Sequence, residues 1–212
     1  MDQREFSDAI SSASRNDLRA LFLSEIRERD PFCFENDLDH FAEVQEHLAM
    51  RLKAKASQVV LVGSGAVGFS VAPHKFPKVF HSESDLDFAV ISPSLFDEAW
   101  SALLQWGHPI RLRVPLVERE WFEARQSNIF WGWLDPARLK YKSVNRPALL
   151  REIRDMSTRW FDTFQGLGLS FPDSEVSRRS VSARLYRSEE HLAQYQIEGL
   201  HRLQYALKER AT

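Results

Sequence analysis

Apolar residues return every three to four positions in the first third of the chain, at Leu18, Leu21, Phe22 and Ile26 and again at Leu38, Phe41, Leu48 and Leu52. That spacing predicts two helices with one core-facing stripe each, separated at Pro31, which lacks the N–H a continuing helix needs. The period then changes. Gln58 to Val62 is a short β-branched run ended by Gly63, and Leu86 to Ile91 is a second apolar run, so both predict buried strands. Ser92 before Pro93 is a helix cap followed by a first-turn proline, and Leu95, Ala99, Ala102, Leu103 and Trp106 carry helical spacing up to Gly107. Ile110, Leu112, Val114 and Leu116 alternate with Arg111 and Arg113 and predict a third strand, placed at an edge or bulge by Pro115. Asn128 to Leu134 is expected as a fourth. Helical stripes resume with Leu149, Ile153, Met156, Trp160 and Phe164, and then with Ala193, Ile197, Leu200 and Leu207 after a cap at Ser188.

A small sheet between two sets of helices implies an α+β fold. No repeat or low-complexity linker divides the 212 residues, so one unit is expected, with helices over 1–56, a sheet core over 57–145 and C-terminal helices over 146–212. With 43% hydrophobic and 27% charged residues the chain can bury a core without staples. A formal net charge of -2 argues against a generic nucleic-acid binder, which carries excess positive charge. No apolar run reaches the roughly 20 residues that span a bilayer, and the start MDQREFSDAI has no signal-peptide core. The one cysteine, Cys33, has no internal disulfide partner. A cytoplasmic chain with no membrane partner is expected.

The chemistry concentrates in Leu61-Val-Gly-Ser-Gly-Ala-Val-Gly68 and Ser84-Asp-Leu-Asp-Phe-Ala-Val-Ile91. One reading takes Gly63-x-Gly65-x-x-Gly68 after a strand as the dinucleotide fingerprint of an NAD(P)-dependent oxidoreductase. It needs a helix directly after the glycines, where Pro73 and Pro77 stand. A second reading joins the glycine turn to the acids. Residues two apart on a strand share a face, so Asp85 and Asp87 set two carboxylates side by side at about 6 to 7 Å between α-carbons. Their mutual repulsion is relieved by a divalent cation, and hard oxygen ligands suit Mg2+ or Mn2+.

Strand, Gly63-Ser64, a loop, and Ser84-Asp85-Leu86-Asp87 entering an apolar strand together resemble the signature of the DNA polymerase β-like nucleotidyltransferase superfamily, including its minimal members and the bacterial cyclic-oligonucleotide synthases. The likeness covers Val59 to Ile91. It implies a mixed sheet of the nucleotidyltransferase fold, with Gly63, Ser64 and adjacent N–H groups on the outer phosphates of an NTP, ATP or dATP being favoured. It implies Asp85 and Asp87 as catalytic metal ligands in two-metal transfer of NMP to a hydroxyl of an oligonucleotide, nucleotide or protein. Phage defence or toxin–antitoxin control, with an effector or toxin protein as partner, follows by the same analogy. Active members carry a third carboxylate on a later strand. Here that strand offers Arg111 and Arg113, leaving Glu118 and Asp135 as substitutes. Without either, the chain would be a silent module that binds a nucleotide or a protein.

Twenty residues separate Ser64 from Asp85, and among them His74, Lys75 and Lys78 either touch phosphates or are solvated. Four arginines fall between Arg178 and Arg187, just before the last helix; Arg184 and Arg187 are the expected phosphate contacts there. Trp131 and Trp133 are core residues or a stacking platform for a base. Tyr195 and Tyr205 are packing residues or hydroxyl acceptors. His40, His47, His191 and His201 lack zinc-ligand spacing.

Overall fold

The computed structural model describes residues 1–107, 116–139 and 151–211. In chain order they form α1 (Gln3–Ser12), α2 (Arg15–Phe22), α3 (Leu38–Leu52), β1 (Val59–Val62), a one-turn α4 (Ser64–Val67), β2 (Leu86–Ile91), α5 (Pro93–Gly107), α6 (Leu116–Phe130) and β3 (Trp133–Leu134). Then come α7 (Arg151–Gln165), the single turns α8 (Leu167–Ser170) and α9 (Glu175–Arg178), β4 (Val181–Tyr186) and α10 (Glu189–Ala211). The strands make one sheet in the order β1-β2-β4-β3. β2 pairs antiparallel with β1 and parallel with β4, and β3 pairs antiparallel with β4. This is the expected α+β arrangement, a small mixed sheet flanked by helices from both ends of the chain.

Both faces of the sheet are covered. Val59, Leu61, Phe88, Val90, Ala183 and Leu185 pack with residues of α3, α5 and α7. On the other face Val60, Val62, Ala89, Ile91 and Tyr186 pack with residues of α1, α2 and α10. A strand buried on two faces favours a continuous apolar run, and β2 has one, broken only by exposed Asp87. An apolar side chain buried there would contribute roughly 1.5–3 kcal/mol. Asp87 forgoes that gain in the middle of the sheet, which reads as function rather than stability.

The caps are where the sequence puts them. Ser92 Oγ accepts from Leu95 N at 3.3 Å at the head of α5, and Ser188 Oγ accepts from His191 N at 3.5 Å at the head of α10. Three expectations change. Asn128–Phe130 complete α6, so the expected fourth strand shrinks to Trp133–Leu134; Gly132, at φ 71°, turns the chain between them. Most of the expected third strand, with Arg111, Arg113 and Pro115, lies outside the described residues, and Leu116 begins α6. The stretch expected to precede the last helix is instead β4, an inner strand, so the sheet draws on 146–212 as well as 57–145. Among the described residues no helix is long and apolar enough to cross a membrane.

Candidate functional site

β1 ends by placing Val62 opposite Asp87 of β2. Gly63 follows at φ 68° and ψ −150°, a conformation that side chains with a β-carbon rarely adopt. A β-carbon there would stand 3.3 Å from Asp87 Oδ2. The glycine is thus needed twice, for the turn and for close approach to the carboxylate. Ser64 opens α4, and the N–H groups of Ser64 and Gly65 precede its first internal bond, from Ala66 N to Gly63 O at 3.2 Å. α4 closes after one turn at Gly68. The long helix that a dinucleotide fingerprint requires after its glycines is therefore not there.

The chain then makes a hairpin-like excursion. Phe69 bridges Val79, Ser70 N donates to Lys78 O at 2.8 Å and Phe80 N to Gly68 O at 2.8 Å. Buried Phe76 packs edge-on against Phe69, their ring centroids 6.1 Å apart. Both ends of the chain hold its tip: Gln3 Nε2 of α1 donates to Pro77 O, and Arg210 of α10 donates to Phe76 O at 3.2 Å and Pro73 O at 2.8 Å. The next turn is held by Arg179, which donates to the carbonyls of His81, Ser82 and Ser84, pairs with Glu175 at 2.5 Å and lies 4.3 Å over the Phe80 ring. Asp85 follows that turn immediately, and Asp87 lies one residue inside β2.

These pieces enclose one cleft of about 190 Å3, lined by Gly63, Ser64, Lys75, Lys78, Asp85 and Asp87 among others. Its walls carry an anion-compatible turn, two exposed lysines and two exposed carboxylates. The donor set suits a hard divalent cation that keeps several waters. Among the described residues no group of three or more His, Cys, Asp or Glu side chains is placed to hold a metal ion.

β4 runs along the other side of β2 and sets Ser182 opposite Asp87. Ser182 Oγ donates to Asp87 Oδ1 at 2.5 Å. Arg184 follows on the same face, with Nη1 donating to Tyr195 Oη at 2.7 Å. Its guanidinium carbon lies 5.1 Å from the Tyr195 ring centre and 5.7 Å from that of Trp133. Burial works against the Arg184 charge, but the Tyr195 and Tyr186 hydroxyls and Asp87 outweigh it and raise its pKa. Burial is also the main reason the Tyr186 hydroxyl is raised.

The other expected residues lie elsewhere. Arg187 is beyond the end of β4, 3.3 Å from Asp97 of α5, and Arg178 donates to Asp173 O at 2.9 Å. Glu189 and Glu190 of α10 take Arg27 and Arg19. Asp135 follows β3; continuing the register of Leu134 with Leu185 sets it beside Arg184, with which it lines a second cavity of about 280 Å3. That is two strands from Asp87. Glu118 falls on a helix, α6. Phe130 and Trp131 are exposed, while Trp133 frames Arg184. Sequence reasoning missed Ser182 and the positioning role of Arg179. A signal existed: Val181, Ala183 and Leu185 alternate with Ser182 and Arg184, the period of a strand.

Compared with protein-family models, with curated proteins and with solved structures, the chain finds no match in any of the three.

Proposed function

We propose that the cleft binds a nucleoside triphosphate with a divalent cation and transfers its nucleoside monophosphate to a hydroxyl, releasing pyrophosphate. One observation carries this reading: Gly63 rests against the Asp87 carboxylate, so a phosphate-compatible turn and a pair of cation ligands open into the same cleft. An isolated carboxylate beside a phosphate-binding turn would repel its ligand. A cation between them removes the conflict.

In this reading the N–H groups at Ser64 and Gly65, and the Ser64 hydroxyl, hold the outer phosphates. Lys75 and Lys78 neutralise them from the cleft wall, and Asp85 and Asp87 hold the cation. Mg2+ or Mn2+ supplies Lewis-acid stabilisation of the pyrophosphate when bound. The chain's share is to position charge, as in phosphoryl transfer generally. The resemblance to signal synthases and minimal nucleotidyltransferases supports ATP or dATP as donor, and phage defence or toxin–antitoxin control, with an effector or toxin protein as partner, as setting. A reducing cytoplasm suits Cys33, whose thiol burial pushes up to about 12 and so keeps unreactive.

Ser182 favours a second reading. The hydroxyl stands opposite Asp87 on the neighbouring strand, and a neutral group there supports a module that binds its nucleotide without turning it over. Incubation with α-labelled NTPs and Mg2+ or Mn2+, followed by separation of products, decides between the two. Label in an oligonucleotide, a cyclic product or protein supports transfer. Intact NTP, retained on the protein only with the cation, supports the silent module. Absence of any cation-dependent retention removes both.

A further inference from the structure

We infer that the site takes a single divalent cation with its nucleotide, and that Arg184 supplies, as a fixed side chain, the positive charge a second cation would bring beside Asp87. The inference rests on the nucleotide-binding reading of the cleft and narrows its chemistry.

The two oxygens of Asp87 face different surroundings. Oδ2 is the one against Gly63, at the end of the carboxylate nearest the turn. Oδ1 accepts from Ser182 Oγ at 2.5 Å. A second cation on the β4 side would need Oδ1 and further anionic oxygens from β4. That strand presents instead a neutral hydroxyl, already engaged, and then an arginine. Asp135 follows β3, and the register there sets it beside Arg184, across β4 from Asp87.

Arg184 is exposed, yet its neighbours hold it in place. It lies against the Trp133 and Tyr195 rings, which touch each other edge-on, and donates to the Tyr195 hydroxyl, so it loses little rotamer freedom when an anion arrives. The same frame would carry a cost if a dication were to sit nearby, because the guanidinium cannot shed its proton. Two carboxylates cancel one Mg2+, and the triphosphate then faces Lys75 and Lys78 from one wall and Arg184 from the strand beyond Asp87. These three cationic side chains offset about three of the roughly four negative charges of the triphosphate without a second ion.

The test counts metal. Mn2+ is titrated into the wild-type chain saturated with α,β-methylene-ATP, and bound Mn2+ is read by electron paramagnetic resonance while bound nucleotide is measured in parallel. The expected result is one Mn2+ per bound nucleotide. Arg184→Lys and Arg184→Ala should weaken the analogue, the alanine variant by roughly 10- to 100-fold as for a lost charged hydrogen bond. Ser182→Asp combined with Arg184→Ala should raise the count to two. Two Mn2+ per nucleotide in the wild type, or unchanged affinity in Arg184→Ala, overturns the inference while leaving the nucleotide-binding reading standing. Failure of the wild type to bind the analogue with Mn2+ at any concentration overturns both.

Discussion

At the scale of single residues, the cleft turns on Asp87. It is exposed within an otherwise buried strand, touches the Gly63 turn and accepts from Ser182. Nothing in the core depends on its charge, so Asp87→Ala should leave the thermal midpoint unchanged or slightly raised, since it also relieves repulsion from Asp85. Cation-dependent NTP binding should fall by more than the roughly 10- to 100-fold that losing an outer-shell partner costs. Calorimetric titration on the folded variant checks this; retained affinity would remove Asp87 from the cation site. These residues were legible in the sequence because each breaks a local rule, a glycine at a strand end and acids in an apolar run. Ser182 breaks none. A serine alternating with alanine and arginine on a strand is ordinary, and its importance comes only from the register that sets it against Asp87.

Among the elements, α2, α3, α5, α7, α10 and β1–β2 were readable from their period and caps, down to the boundaries Leu86–Ile91 and Pro93–Gly107, whereas α6 was not, its two ends reading as strands. β4 was not. Its two arginine-rich ends concealed a six-residue strand, and a parallel partner 95 positions along from Asp87 leaves no local mark. The charge read there as a phosphate patch divides into separate tasks. Arg179 secures the turn before Asp85, so Arg179→Met should speed amide exchange at Ser84 and Leu86 and weaken NTP binding, with the rest of β2 still protected. Unchanged exchange at those amides would show that the turn holds itself. The last helix is tied to α2 by Arg19, which with Gln194 holds Glu190 down at about 2 from 4.5. A carboxyl depressed in the folded state contributes stability above its unfolded pKa and loses it as pH falls from about 4.5 toward about 2. The pair is exposed and screened by solvent, so its effect is small. Arg19→Ala should therefore melt lower than wild type at pH 7, with the difference vanishing near pH 2; a difference that persists at pH 2 would assign the effect to packing.

Across the whole molecule, the first and last helices pack together on one face of the sheet and both reach the excursion that carries the cleft lysines. Gln3 holds Pro77 O, and Arg210 holds Pro73 O and Phe76 O. These contacts join residues more than 70 positions apart, so no sequence window contains them. The excursion reads from sequence as a flexible polar loop. In the fold its backbone is pinned and Phe76 is buried, which presents Lys75 and Lys78 to the cleft in a fixed place. A pinned loop gives up less entropy on binding a phosphate than a free one. Arg210→Ala removes two of the three ties. It should lower the global stability by about the 0.5–1.5 kcal/mol of an ordinary hydrogen bond, yet open the loop locally. Trypsin cleavage after Lys75 and Lys78 should accelerate, and NTP affinity should fall, while Arg202→Ala, which breaks an exposed pair with Glu198 on the same helix, should change neither. If cleavage at Lys75 and Lys78 is the same in both variants, the last helix does not govern the loop, and the lysines owe their place to Gln3 and to the hairpin bonds of Ser70 and Phe80.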